Sequence, residues 1–178
     1  MRKLRDNREL TKHPDRRVEL TGFPRETWQE ILTLAPSLRR SVAYIDASGR
    51  SPDPLDLLHR LEKIAPEQVA SGGVEAARHW DRRFNLHGVP RLDISVHAPA
   101  GSYDESFVKR LDPALERARM VSQEPVLVLH PLLRAESLFT SRTSKRLPVA
   151  DPVETLLDLH ELRLVEQVEE LVERLGPK

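Results

Sequence analysis

The chain has 178 residues, 39% hydrophobic and 31% charged, a length that suits one domain with a core of its own. It has no cysteine, which excludes disulfides and thiolate metal sites and favours a reducing compartment. Net charge is zero but unevenly spread: residues 1–17 carry seven Lys and Arg against three acids, and residues 151–178 carry eight acids against three bases.

Zero net charge speaks against a surface given over wholly to nucleic acid, while the asymmetry offers a basic arm at one end and an acidic face at the other. The start, MRKLRDNREL, has no apolar run behind its charges, so no signal peptide is expected. No apolar window is long enough to expect a membrane span.

Residues 1–19 are polar and without a clear period, and are expected as a flexible basic arm ahead of a single α/β domain over 20–178. FPRETWQEILTLA, from Phe23 to Ala35, repeats Trp28, Ile31, Leu32 and Ala35 at helical spacing, with Pro36 expected to end the helix. SVAYID, at 41–46, predicts a strand and ASGR a turn. Three Asp-Pro pairs then read as helix starts, with the acid as N-cap and the proline in the first turn. Asp53-Pro54 opens DPLDLLHRLEKI, Asp112-Pro113 opens the short PALERAR, and Asp151-Pro152 opens PVETLLDLHE with Glu154 completing a capping box.

Between them, RLDISVH alternates as a strand with Leu92, Ile94 and Val96 on one face, and VLVL at 126–129 reads as an interior strand. Pro131 to Phe139 is expected as a helix and SRTSKR, 141–146, as a basic loop. The chain closes with two helices, Pro152–Glu161 and Leu164–Leu175. The second shows a stripe of Val165, Val168, Leu171, Val172 and Leu175 that Gly176-Pro177 stops. The fold class expected is α/β or α+β: a small mixed sheet of about three to five short strands covered by helices, ending in a two-helix segment.

The search for chemistry is mostly negative. No serine-nucleophile elbow, P-loop or dinucleotide fingerprint occurs, and no pair of the seven histidines has the spacing that puts two ligands on one helical face. No metal or cofactor is expected. One partial pattern remains. Ser71-Gly72-Gly73 opens the helix VEAARHW, and the strand that follows carries Asp93. A glycine turn, a helix and a strand with an Asp-x-Asp pair form the minimal nucleotidyltransferase core, where two carboxylates hold magnesium against a triphosphate. Here the second carboxylate position is Ser95, and His97 comes next on that face. Asp93 alone cannot bridge two metals, so Gly72, Gly73 and Asp93 point to a degenerate site that binds a nucleotide or nucleic acid, or to a plain tight turn.

Basic side chains suited to phosphate contacts are Arg2, Lys3, Arg5, Arg8, Arg16 and Arg17 in the arm, and Arg142, Lys145 and Arg146 in the loop. Further pairs and triplets of arginine fall elsewhere, and most such clusters are ordinary solvated surface. The single helix before the strand at 41–46 is too little for a helix-turn-helix.

The ordered set IDASGR, DPLDLLHRLEKI, SGGVEAA, LDISVHAP, PVLVLHP and DPVETLLDLHELRLVEQVEELV resembles the effector half of AbiEi-type antitoxins, the transcriptional regulators of type IV toxin–antitoxin systems. The resemblance covers residues 42–175 and is closest at the end, in DPVETLLDL and VEQVEELV, with Gly73, Ala76 and Ala77 meeting the family's small-residue turn. It implies a cytoplasmic bacterial protein without catalytic residues. Such a protein represses its own operon on DNA and counters a nucleotidyltransferase-like toxin without binding it tightly. The family carries a complete winged helix-turn-helix before the effector half; here about forty residues precede it. An interaction module without either role is the third alternative.

Overall fold

The computed structural model describes residues 10–12, 18–20, 25–64, 66–120, 122–140 and 146–175. Its elements are β1 (Leu10–Lys12), β2 (Val18–Leu20), α1 (Arg25–Leu38), β3 (Val42–Asp46), α2 (Pro54–Ile64), β4 (Val69–Ser71), α3 (Gly73–Trp80), β5 (Leu92–His97), α4 (Ser106–Leu111), β6 (Leu115–Arg117), β7 (Leu127–Leu132), α5 (Pro152–Glu161) and α6 (Val165–Leu175). Across the end of the stretch expected as an arm over 1–19, β1 and β2 pair antiparallel, Leu10 opposite Leu20.

The main sheet is mixed and runs β4-β5-β7-β3-β6. Its centre is the parallel pair β5–β7, in register from Leu92↔Leu127 to His97↔Leu132, and every other pairing is antiparallel. One face is conventionally apolar. Leu92, Ile94, Leu127 and Leu129 project from the central strands onto Leu57 and Leu61 of α2 and Phe107 of α4, all essentially inaccessible to water. A second apolar cluster joins α1, α3, α5 and α6 through Trp28, Val74, Ala77, Leu156, Leu159, Val168 and Leu171. It contains no strand residue. The helical layer meets the sheet through α3 and β5, and there the inward residues of the strands are polar: Asp93, Ser95 and His130, each at most 2% exposed.

Most predicted elements stand where the periodicity puts them, and the fold class is α/β with a five-stranded mixed sheet and a closing helix pair. Five local expectations are corrected. Pro36 lies inside α1, which continues to Leu38. A proline so near the end removes one N–H, while the Ser37 hydroxyl and the Arg39 N–H reach back to the Leu34 and Ala35 carbonyls at 2.7 and 2.8 Å and complete the last turn.

Asp112-Pro113 opens no helix: Asp112 Oδ1 accepts from Ala114 N at 2.9 Å in a turn, and Leu115–Arg117 pairs with β3. Burying Leu115 completely outweighs the local helix signal. Likewise Pro131 starts no helix, because β7 runs on through it to Leu132 beside β5. The proline is tolerated because pairing with β3 ends at Val42↔Leu129, so on that side no ladder bond is lost.

Asp151 caps α5 as expected, accepting from Val153 and Glu154 N–H at 3.0 and 3.1 Å. Glu154 does not close a capping box. It is buried and faces Arg134 at 3.3 Å and Arg39 at 3.6 Å. Val165, expected in the apolar stripe, is 50% exposed at the start of α6, whereas Val168, Leu171 and Val172 are buried. Glu166, Glu169, Glu170 and Glu173 face water. No helix among the described residues is long and apolar enough to cross a membrane.

Candidate functional site

The three residues of the partial transferase pattern do meet in space. Gly72 N–H donates to the Asp93 carbonyl at 2.9 Å, which ties the glycine turn to β5. Gly73 has φ +54, and a Cβ there would come within 2.6 Å of Asp93 Oδ2. Both left-handed backbone and close approach therefore require glycine at 73. The N-terminus of α3 thus opens directly over the Asp93 carboxylate.

That opening is already filled. Asp158, on the inner face of α5, puts Oδ2 on the Gly73 N–H at 2.9 Å. Its other oxygen takes the Arg39 guanidinium and lies 3.4 Å from His130 Nε2. His130 stands on β7 beside Ser95 of β5, its Nε2 2.9 Å from Asp93 Oδ1 and its Nδ1 2.9 Å from the Ser41 hydroxyl. Arg91 enters from the start of β5, bonding Asp93 Oδ1 at 2.9 Å and Glu161 at 2.8 Å. Arg39 also reaches Glu161, at 3.3 Å. The result is a closed ionic network joining the end of α1, the two central strands and α5.

The electrostatics follow from burial and pairing. Burial alone would drive the His130 imidazole down, but ionised Asp158 and the bond to Asp93 outweigh it, and its pKa is raised. Burial likewise opposes ionisation of Asp158, yet His130 and Arg39 hold its carboxyl below the usual range. Asp93 is pushed up, chiefly by burial, against the pull of His130 and Arg91. Glu154 is also raised, again chiefly by burial. The shifts favour the protonated imidazole of His130 against the ionised carboxyl of Asp158, with the arginines closing the outer side. Asp93 Oδ2, Ser95 Oγ and Glu154 Oε2 are buried without a hydrogen-bond partner among the described residues.

Of the candidates drawn from sequence, Gly72, Gly73 and Asp93 come together; Arg146 is exposed. Arg2, Lys3, Arg5, Arg8, Arg16, Arg17, Arg142 and Lys145 lie outside the described residues. Sequence reasoning missed Asp158, His130 and Arg39. Two signals were available: a lone acid inside TLLDL, and a histidine closing the apolar run VLVL. A partner 65 residues away on a helix is not visible from the strand that needs it. Among the described residues no group of three or more His, Asp or Glu is placed to hold a metal ion. The chain matches no family model, no curated protein and no solved structure.

Proposed function

We propose that this chain is a non-enzymatic, antitoxin-like transcriptional regulator of a bacterial type IV toxin–antitoxin system, acting in the cytoplasm. The observation that supports it best is the Asp158 carboxylate on the Gly73 N–H, 2.9 Å away. The start of a helix behind a glycine turn is where a transferase would seat an anionic ligand. Here an internal anion takes that place, is fully buried, and is held by Arg39 and His130. A nucleotide phosphate would have to displace a buried carboxylate from all its partners, and an ion stripped of its partners inside the fold costs several kcal/mol.

The same obstacle faces the other reading, nucleotide or nucleic-acid binding through Gly72, Gly73 and Asp93. What such a core retains is a rigid scaffold, which suits a regulator. The regulatory role itself rests on the resemblance of residues 42–175 to AbiEi-type effector halves. In this reading DNA is met by the basic arm and the 141–146 loop through phosphates, so binding weakens steeply with salt.

Two experiments test the proposal. The full chain is incubated with labelled nucleoside triphosphates, magnesium and total tRNA. No label should transfer; transfer that disappears in Asp93→Asn would overturn the non-enzymatic assignment. Where a reading frame for a nucleotidyltransferase-like protein lies beside its own, the chain is co-expressed with that protein. Restored growth is expected, together with a salt-sensitive mobility shift of the DNA upstream of its own reading frame. Undiminished toxicity without any shift would remove the regulator reading.

A further inference from the structure

A separate cavity of about 410 Å³ opens at the far end of the sheet, beyond the carboxyl end of β5. Its floor is apolar: Ile64 at the end of α2, Val69, Val96 and Phe107. Its rim is polar and carries both signs of charge. Gln68 holds φ +59, an uncommon conformation for a residue with a long side chain, and its carbonyl accepts from His97 N at 2.8 Å. That bond fixes the rim, while the Gln68 amide has no partner among the described residues. His97 meets Ser137 Oγ through Nδ1 at 2.7 Å, which leaves Nε2 without a partner there. Arg110 of α4 lines the cavity and makes no direct salt bridge among the described residues, while its charge, after the bonds from Ser106, helps hold the Asp104 carboxyl below the usual range. Glu67 is a carboxylate without a hydrogen-bond partner among the described residues on the same rim, and Asp104 adds a second negative charge while its oxygens cap Ser106 at 2.8 and 2.9 Å.

We propose that this cavity binds a small zwitterion of the free α-amino-acid type, with an apolar side chain. The rim offers donors for a carboxylate in Arg110, His97 and Gln68, and acceptors for an ammonium in Glu67 and Asp104. The charged rim side chains, Arg110 against Glu67 and Asp104, sum to one negative charge. A phosphate or dicarboxylate would therefore meet net repulsion, whereas a ligand carrying both signs is matched at each end. The apolar floor takes the side chain, and the volume lies within the range of small-ligand sites. The site is far from the Asp158 network and does not depend on the regulatory reading above. It would give the protein a metabolite sensor.

The test is NMR titration of the full chain with leucine, isoleucine, methionine and phenylalanine. Leucylamide, isopentylamine, N-acetyl-leucine and inorganic phosphate serve as controls. Saturable shifts centred on Gln68, His97 and Arg110 are expected with at least one amino acid. The amide, amine, acetyl form and phosphate should bind at least about tenfold more weakly. Arg110→Gln and Glu67→Gln, both on exposed side chains, should each weaken binding by about tenfold without lowering the melting temperature. No saturable binding at millimolar amino acid would overturn the proposal, as would binding that both variants leave unchanged. Phosphate or isopentylamine binding as tightly as the amino acid would overturn the zwitterion assignment.

Discussion

Asp158 shows what a single buried carboxylate does when each of its oxygens has a donor. Its side chain is inaccessible, and it spans the Gly73 amide, Arg39 and His130. Asp158→Ala should destabilise the fold by about 3–5 kcal/mol, because it leaves two buried cations short of their counter-charge; urea unfolding of variant and wild type measures it. His130 sets a pH dependence whose sign is fixed by its raised pKa. Its contribution is complete below the ordinary imidazole value of roughly 6.5 and is lost as pH rises through the folded value.

The groups facing it are Asp93, Asp158, Arg39 and Ser41, with Arg91, Glu154 and Glu161 around them. Asp158, held low, contributes above the carboxylate range and is lost in strong acid, while raised Asp93 and Glu154 favour the fold as they protonate. The melting temperature should therefore fall as pH rises above the ordinary imidazole value. His130→Gln should melt lower in mild acid and show a flatter profile above it; parallel profiles would mean that the histidine is neutral throughout.

Elements repeat the lesson with local signals against distant ones. Asp151 caps α5 because acid, proline and apolar run follow one another in eight residues, a pattern readable without the fold. Asp151→Ala should cost about 0.5–2 kcal/mol, and Leu157→Ala about 2–5 kcal/mol, since Leu157 is buried in the helical cluster. Val165→Ala should be nearly silent, its side chain standing half in water. Thermal and urea melts of the three variants give that ranking or refute it. The misread elements are those decided from far away. Leu115 and Pro131 carry helix-start surroundings, but β3 and β5 offer them ladder partners dozens of residues distant. The candidate site divides the same way. The glycine turn and Asp93 were legible because sequence spacing places them, whereas Asp158, His130 and Arg39 are joined by tertiary packing alone.

At the scale of the whole molecule, two apolar clusters are separated by the sheet, and their junction is ionic rather than oily. Both tryptophans, Trp28 and Trp80, belong to the helical side. Unfolding followed by tryptophan fluorescence should coincide with unfolding followed by far-ultraviolet circular dichroism in the wild type. In Asp158→Ala the fluorescence transition should come first, as the helical layer loses its attachment to the strands; coincident curves in that variant would show that the layers hold together without the network. The junction also constrains how such a sequence can drift. Arg39, Asp93, His130 and Asp158 come from four separate stretches of the chain, and losing any one strands the charges of the others. Descendants of this chain should therefore keep all four or exchange them jointly for an apolar set, so that the four positions covary across a lineage while their neighbours change freely.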